Sequence, residues 1–337
     1  MDHQHHNGER CEHCSRISEE IIDGKIQPAP DNGRTILIAS GMLSLAIIAA
    51  VSIWALTVMS SRGGSAGVST SPSQNQAQAT NAQVSALQES VIPSKGVVLP
   101  VTWGSLGKQM VDAGVIDETK FVDLYSQRGG LSPDMKALLD SSGNGQLTIT
   151  PQNSGVLLNM LWAFGLANKN VILENGPMQD PQYGGAGKFA STGGWTLGKG
   201  DAMSYYSKFK LVTLTADQQA LVEKVAKNIY RPCCGNSTYF PDCNHGMAML
   251  GLLELMASQG ASEDQMYQTA LAVNSYWFPD TYMTIAQYFQ KQGIDWKTVA
   301  PKDILGQNFS SSAGYKRILS QVQPVQSNQS GGSGCGA

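Results

Sequence analysis

The chain has 337 residues, of which only 15% are charged, and its formal net charge is −3. This length would accommodate two average domains. Residues 60–337 carry nineteen basic and nineteen acidic side chains, so we expect no basic surface of the kind that a phosphate backbone requires, and nucleic acid is excluded as a partner.

The N-terminal tail, residues 1–34, is polar and rich in side chains that bind metals. Its two cysteines have C-x-x-C spacing, which is half of a zinc-knuckle pattern, and imidazoles flank them. Because Ser15 stands where a histidine would be needed, the pattern does not fit a c-type haem site. A cloning tag or an unstructured tail is the alternative. The candidate ligands of the tail are His3, His5, His6, Cys11, His13 and Cys14.

An uncharged run, Thr35–Met59, follows this tail. About 20 apolar residues suffice for a helix to cross the hydrocarbon core of a bilayer, and Trp54 near one end suits the membrane interface. We therefore expect a single-pass transmembrane helix in the cell membrane, with the lipid bilayer as a partner. Basic residues of the tail outnumber Arg62 on the other side, which predicts a cytoplasmic N-terminus and an extracytoplasmic C-terminal domain.

Composition divides the remainder into three segments. Residues 60–95 are rich in Ser, Gln and Ala, carry little apolar mass, and predict a flexible stalk with at most a weak helix over Ala77–Glu89. Residues 96–309 carry regularly spaced leucines and aromatics, which predicts a mostly α-helical domain. Residues 310–337 are polar again and predict a flexible tail that ends near Cys335.

Several residues of the helical domain mark helix starts. Thr102, Asp117, Ser132, Thr215 and Ser262 each precede a segment with helical periodicity, so we expect them to cap helices. A helix is also expected to begin near Asn153 or Ser154. The only strand predicted is Gln146–Thr150.

Two further features of the helical domain predict tertiary contacts. The glycine-rich segment over residues 177–200 is long for a connector, so we expect a long loop that forms one wall of a site. Glu254 stands alone in an apolar run, so we expect it to meet a lysine or arginine from a neighbouring helix.

Three cysteines and a histidine lie within thirteen residues: Cys233, Cys234, Cys243 and His245. Thiolate sulfur and imidazole nitrogen are the ligands that soft and borderline metal ions prefer. Asp242 or Asn244 is expected to cap a following helix and so to place Cys243 at its N-terminus, where partial positive charge favours a thiolate. Met247 or Met249 on that helix would supply a thioether ligand.

Three interpretations of this cluster remain open. The first is binding or transfer of a metal ion, with Cu(I) or Zn²⁺ favoured and Hg²⁺ a further option, Cys335 as a mobile shuttle, and a metal transporter or metallochaperone as partner. The second is a membrane-anchored thiol–disulfide oxidoreductase in which Cys243 attacks, His245 assists, and Cys233 or Cys234 resolves. The third is an interaction domain whose cysteines form ordinary disulfides or are simply buried.

Overall fold

A computed structural model describes the backbone of residues 72–322 and the side chains of residues 82–322. Most of these residues lie in helices, which confirms the prediction of a mostly α-helical protein. Over this range no helix is both long and apolar enough to cross a membrane. The predicted span at Thr35–Met59, the N-terminal tail and Cys335 lie outside the described residues.

The first half of the described chain combines helices with a two-stranded sheet. Three short 3₁₀ turns (Pro177–Gln179, Pro181–Tyr183 and Ala186–Lys188) lie between its last two helices. In chain order the elements are α1 (Pro72–Val91), β1 (Val97–Gly104), α2 (Leu106–Asp112), α3 (Glu118–Ser126), α4 (Pro133–Asp140), β2 (Asn144–Ile149), α5 (Ser154–Ala167), α6 (Val171–Asn175) and α7 (Ala190–Gly193).

The second half contains the longest helices of the domain core. Further 3₁₀ turns occur at Ala202–Ser204 and Trp296–Thr298. The helices are α8 (Ala216–Ala226), α9 (Asn244–Ser258), α10 (Glu263–Trp277), α11 (Pro279–Lys291), α12 (Pro301–Leu305), α13 (Gln307–Ser310) and α14 (Ser312–Leu319).

Side-chain caps fix the start of four predicted helices. Asp117, Ser132, Thr215 and Ser262 each accept a hydrogen bond from a backbone N–H in the first turn. At Thr215 and Ser262 a glutamine three residues later returns a bond to the cap backbone, which completes a capping box. These caps satisfy amides that a helix start leaves without partners, and they confirm the predicted starts. The start predicted at Asn153 or Ser154 is also confirmed, because α5 begins at Ser154.

The strand β1 is a correction, because a helix capped by Thr102 was expected in this region. Instead, β1 pairs antiparallel with β2, and Thr102 lies opposite Gln146. Leu99, Val101 and Trp103 are buried at alternate positions, which is the period of a strand with one face in the core. Helix α2 therefore starts only after the strand ends at Gly104.

The ends of the predicted stalk and tail are more ordered than composition suggests. Helix α1 covers residues 72–91, which is longer than the weak helix expected over Ala77–Glu89. Val91 and Ile92 are buried at its end, and the Tyr276 hydroxyl donates to the Pro93 carbonyl oxygen at 2.6 Å. The predicted flexible tail is wrong for residues 310–322, because α14 buries Ile318 in the core.

Helices α5 and α9 cross at the centre of the domain, and both are buried along almost their whole length. Two glycines allow the backbones to touch. A Cβ atom on Gly165 would lie 2.2 Å from the carbonyl oxygen of Met247, and one on Gly251 would lie 2.7 Å from that of Leu161. The position of α9, and of everything at its N-terminus, is therefore set by backbone contact with α5.

Glu254 in α9 meets no lysine or arginine among residues 82–322, which corrects the prediction for this residue. Its carboxylate is fully buried, and Oε2 accepts a hydrogen bond from the Asn168 side-chain amide at 2.5 Å. Burial raises the pKa of Glu254 well above its usual value, although hydrogen bonds from Asn168 and Asn170 oppose the shift. The site therefore favours a protonated, neutral Glu254.

We expect Glu254→Gln to raise the melting temperature at pH 7 and to change it much less at pH 4. The folded state keeps a proton that the unfolded chain loses above a pKa of about 4.3, so the wild-type protein loses stability as pH rises from that value toward the raised folded pKa. A glutamine does not titrate and avoids this loss. Thermal unfolding of the full chain at both pH values measures the effect. The exposed Asp123→Asn serves as the control and should show no such pH dependence. An equal shift at both pH values for Glu254→Gln would contradict this explanation.

Candidate metal centre

The segment between α8 and α9 holds the predicted cluster in a short folded loop. Tyr230 and Ser237 form an antiparallel bridge, and the Thr238 N–H donates to the carbonyl oxygen of Ile229 at 2.8 Å. Inside this loop the Cys234 N–H donates to the Arg231 carbonyl oxygen, which closes a tight turn. The turn places Cys233 and Cys234 beside the start of α9.

Cys243 is itself the N-cap of α9, where Asp242 or Asn244 was expected. Its sulfur accepts a hydrogen bond from the Gly246 N–H at 3.4 Å. The predicted position at a helix N-terminus is thus confirmed, although the capping atom differs. Negative charge is stabilised at this end of a helix, so a metal-bound thiolate at Cys243 is in a favourable place.

The sulfurs of the three cysteines lie close together without forming a disulfide. The Sγ atom of Cys233 is 3.3 Å from that of Cys234 and 3.6 Å from that of Cys243. None of the three is in a disulfide, and of the three only Cys233 is partly exposed. A disulfide would bring two sulfurs to about 2.04 Å. Ordinary disulfides, one of the three interpretations of the sequence, are therefore not formed in this cluster.

His245 joins the sulfurs from the first turn of α9. One of its ring nitrogens and the sulfurs of Cys233 and Cys243 all lie within 4.8 Å of one another. The ring is 1% exposed and packs against Trp277 and Phe278, at centroid distances of 5.7 and 4.4 Å. Neither nitrogen has a hydrogen-bond partner among the described residues. A buried polar group without a partner is costly and calls for an explanation.

A second group of ligand atoms shares Cys243. The sulfurs of Cys234 and Cys243 and a carboxylate oxygen of Asp242 also lie within 4.8 Å of one another. The four predicted ligands are thus brought to one place, in two overlapping groups. Asp242 was expected only as a possible helix cap.

A buried ion pair borders the sulfurs, and no sequence pattern indicated it. The Arg231 Nη2 atom donates to the Asp242 Oδ1 atom at 2.5 Å, and both side chains are at most 1% exposed. The amide of Asn236 donates to the other oxygen of Asp242. Arginine and aspartate in a loop are usually solvated, so only the folded arrangement identifies this pair.

The pKa shifts in the cluster have three causes. Hydrogen bonds with Cys234 and Cys243, followed by burial, raise the pKa of Cys233 well above its usual value. Burial raises the pKa of Asp242 to about 6, while Arg231 opposes that shift. Burial lowers the pKa of Arg231, but electrostatic interaction with the three sulfurs and Asp242 raises it by more. The guanidinium therefore stays charged.

The other ligands that the sequence predicts stay predictions. Met247 and Met249 are fully buried in α9, and their role as thioether ligands stays a prediction. The N-terminal ligands His3, His5, His6, Cys11, His13 and Cys14, and the proposed shuttle Cys335, fall outside the described residues.

The glycine-rich segment over residues 177–200 borders the cluster. It is folded into short turns and α7, and the Ser191 N–H donates to the Asp242 carbonyl oxygen at 3.1 Å. Phe189 and Tyr183 each pack against Phe240 at a centroid distance of 5.4 Å. The segment therefore covers the residues that lead into Cys243.

The side chains present fit a soft or borderline metal ion. Three sulfurs and one nitrogen form a donor set typical of structural zinc sites. A tetrahedral ion with Zn–S bonds of about 2.3 Å holds its sulfurs about 3.8 Å apart, and the two measured sulfur separations are 3.3 and 3.6 Å. These sulfur separations are therefore close to those around a bound ion, whereas Cys234 and His245 belong to different groups of ligand atoms and must approach each other to share one ion.

Comparison with known proteins adds no further assignment. No family model, no curated protein and no solved structure matches this chain.

Proposed function

We propose that this protein binds a soft or borderline metal ion, with Zn²⁺ or Cu(I) as the favoured cargo and Hg²⁺ as a further option, through Cys233, Cys234, Cys243 and His245. The observation that carries the proposal is the buried imidazole of His245. In the part of the chain that the structure describes, neither of its nitrogens has a hydrogen-bond partner, and two sulfurs lie within 4.8 Å of one of them. Coordination would remove the cost of burying this ring without hydrogen bonds.

The alternative thiol–disulfide oxidoreductase is less well supported. Its attacking residue, Cys243, is fully buried, so a disulfide on another protein has no access to the sulfur. The more accessible Cys233 has a raised pKa because of Cys234 and Cys243, which disfavours a thiolate there in the free protein. Metal coordination needs neither an exposed Cys243 nor a reactive free thiolate.

We further propose that the metal site lies outside the membrane, held there by the predicted span at Thr35–Met59. The tail would carry a second set of ligands in the cytoplasm. In this arrangement the partner is a metal transporter or a metallochaperone that exchanges an ion by way of Cys233, the most accessible of the three cluster thiols, or by way of Cys335. Protease protection of tags at the two ends of the chain, in closed right-side-out membrane vesicles, tests the orientation: cleavage of the N-terminal tag, or protection of the C-terminal tag, would contradict it.

Metal content tests the function directly. The sample is a variant of the full chain that we call the tail-silenced chain, purified without oxygen. In it alanine replaces each candidate ligand of the tail: His3, His5, His6, Cys11, His13 and Cys14. After loading and desalting we expect about one metal ion per chain. No metal above background in the reduced protein would refute the proposal.

His245→Phe separates a ligand from a buried aromatic residue. Phenylalanine has a similar shape, packs against Trp277 and Phe278, and has no polar atom to leave unpaired. If His245 is a ligand, the affinity of the tail-silenced chain for Zn²⁺ should fall by at least about tenfold, while the metal-free protein should be as stable as before or more so. Chelator competition and thermal unfolding measure the two quantities. Unchanged affinity would remove His245 from the ligand set.

A further inference from the structure

A buried guanidinium at the metal site has donors that no group in the described structure satisfies. The Arg231 side chain is fully buried, and its Nη2 atom is used by Asp242 at 2.5 Å and by the Phe240 carbonyl oxygen at 3.3 Å. Within the described residues, Nε and Nη1 have no hydrogen-bond partner. Charged N–H groups left unpaired in a protein interior are strongly unfavourable.

The guanidinium lies over the first turn of α9, beside the sulfur of Cys243. A Cβ atom on Gly246 would be 2.8 Å from the Cζ atom of Arg231 and 2.9 Å from Nη2. The N–H of the same glycine donates to the Cys243 sulfur at 3.4 Å. The absence of a side chain at position 246 therefore lets the guanidinium pack directly against the helix end that holds Cys243.

The sulfurs of the cluster interact electrostatically with Arg231 and are the candidate acceptors for these protons. A thiol is a weak acceptor, whereas a metal-bound thiolate carries negative charge and accepts hydrogen bonds well. Three thiolates and a neutral imidazole around a divalent ion leave one net negative charge on the complex, and a monovalent ion leaves two. Such a complex is costly to bury unless a positive group lies beside it.

We propose that Arg231 is a positioning and specificity-determining residue of the metal site, whose unpartnered N–H groups donate to metal-bound thiolates of the cluster. The inference rests on the proposed function and deepens it. The cargo it defines is an ion bound as an anionic complex of several thiolates, with Arg231 as the buried counter-charge. Asp242 holds the guanidinium in place through Nη2 and leaves the other donors to face the sulfurs.

The test compares the tail-silenced chain with the double variant Arg231→Met/Asp242→Asn. Removing both charges together avoids leaving one buried charge alone, which would destabilise the fold. We expect the double variant to bind Zn²⁺ about 10–100-fold more weakly in chelator competition. With Co²⁺ as the probe, we also expect a weaker thiolate-to-metal charge-transfer absorption per bound ion, because fewer thiolates stay on the ion. A merely structural role for Arg231 would not change that absorption.

Two further variants complete the design. Arg128→Met removes an exposed arginine and should leave both readouts unchanged. Arg231→Lys keeps the charge but loses the planar set of donors, so its Zn²⁺ affinity and Co²⁺ absorption should lie between those of the wild type and the double variant. If the double variant does not fold, Arg231→Lys is compared with the wild type instead. If both Arg231 variants show the Zn²⁺ affinity and the Co²⁺ absorption of the wild type, this inference is wrong, while the proposed function still stands. Failure of the unmodified cluster to bind Zn²⁺ or Co²⁺ would instead overturn the proposed function.

Discussion

Saturation with Zn²⁺ should raise the free energy of unfolding of the tail-silenced chain by about 2.7 kcal/mol when the free ion is at about 100 times its dissociation constant. Cys243→Ser should abolish this increase. Cys243 belongs to both groups of ligand atoms, so its loss removes a sulfur from each. Denaturant titration with and without Zn²⁺, under reducing conditions, measures the difference.

The same substitution is expected to leave the metal-free protein nearly intact. Serine is a preferred N-cap residue, and its oxygen can accept the hydrogen bond that the Gly246 N–H now donates to sulfur. Cys335→Ser is the matched control and should retain the full increase with Zn²⁺. Equal stabilisation of the wild type and Cys243→Ser would show that the ion binds elsewhere.

Gly165→Ala should lower the free energy of unfolding by about 1–3 kcal/mol or more, although alanine is the better helix former. The added Cβ atom would lie 2.2 Å from the Met247 carbonyl oxygen and 3.0 Å from the Gly251 nitrogen. These are backbone atoms, so the conflict is relieved only if α5 and α9 move apart. Urea denaturation of the full chain measures the loss.

Gly155→Ala in the same helix is the control. Among the described residues, no heavy atom beyond the neighbouring residues and the helix's own backbone lies within 4 Å of a Cβ atom at that position. Alanine's higher helix propensity should therefore raise the stability by up to about 1 kcal/mol. Because Met247 is two residues from His245, the movement in Gly165→Ala should also weaken Zn²⁺ binding. A loss of stability in Gly155→Ala equal to that in Gly165→Ala would contradict the assigned backbone contact.

Local signals in the sequence predicted the helices well. A cap such as Ser262 and the glutamine three residues later act within one turn, so their effect does not depend on the rest of the fold. Strand β1 was missed because its paired residues in β2 lie 40 to 52 positions away and Pro100 interrupts its pattern. The last residues of the stalk were missed because composition does not show that Ile92 packs into a distant core.

The candidate site was predictable only where its residues are close in sequence. Cys233, Cys234, Cys243 and His245 attract attention as a short cluster of soft ligands. The counter-charge was not predictable, because Arg231 becomes a site residue only when the loop folds and Gly246 leaves room for it. The partner of Glu254 was also missed, since Asn168 is 86 positions away and comes close only through the fold.

X-ray absorption at the zinc edge of the Zn²⁺-loaded, tail-silenced chain tests the central claim most directly. We predict two or three sulfur ligands at about 2.3 Å and one nitrogen ligand at about 2.0–2.1 Å, with at least one sulfur lost in Cys243→Ser. A shell of only oxygen and nitrogen ligands, or a sulfur shell unchanged in Cys243→Ser, would contradict a metal centre built from these cysteines and His245.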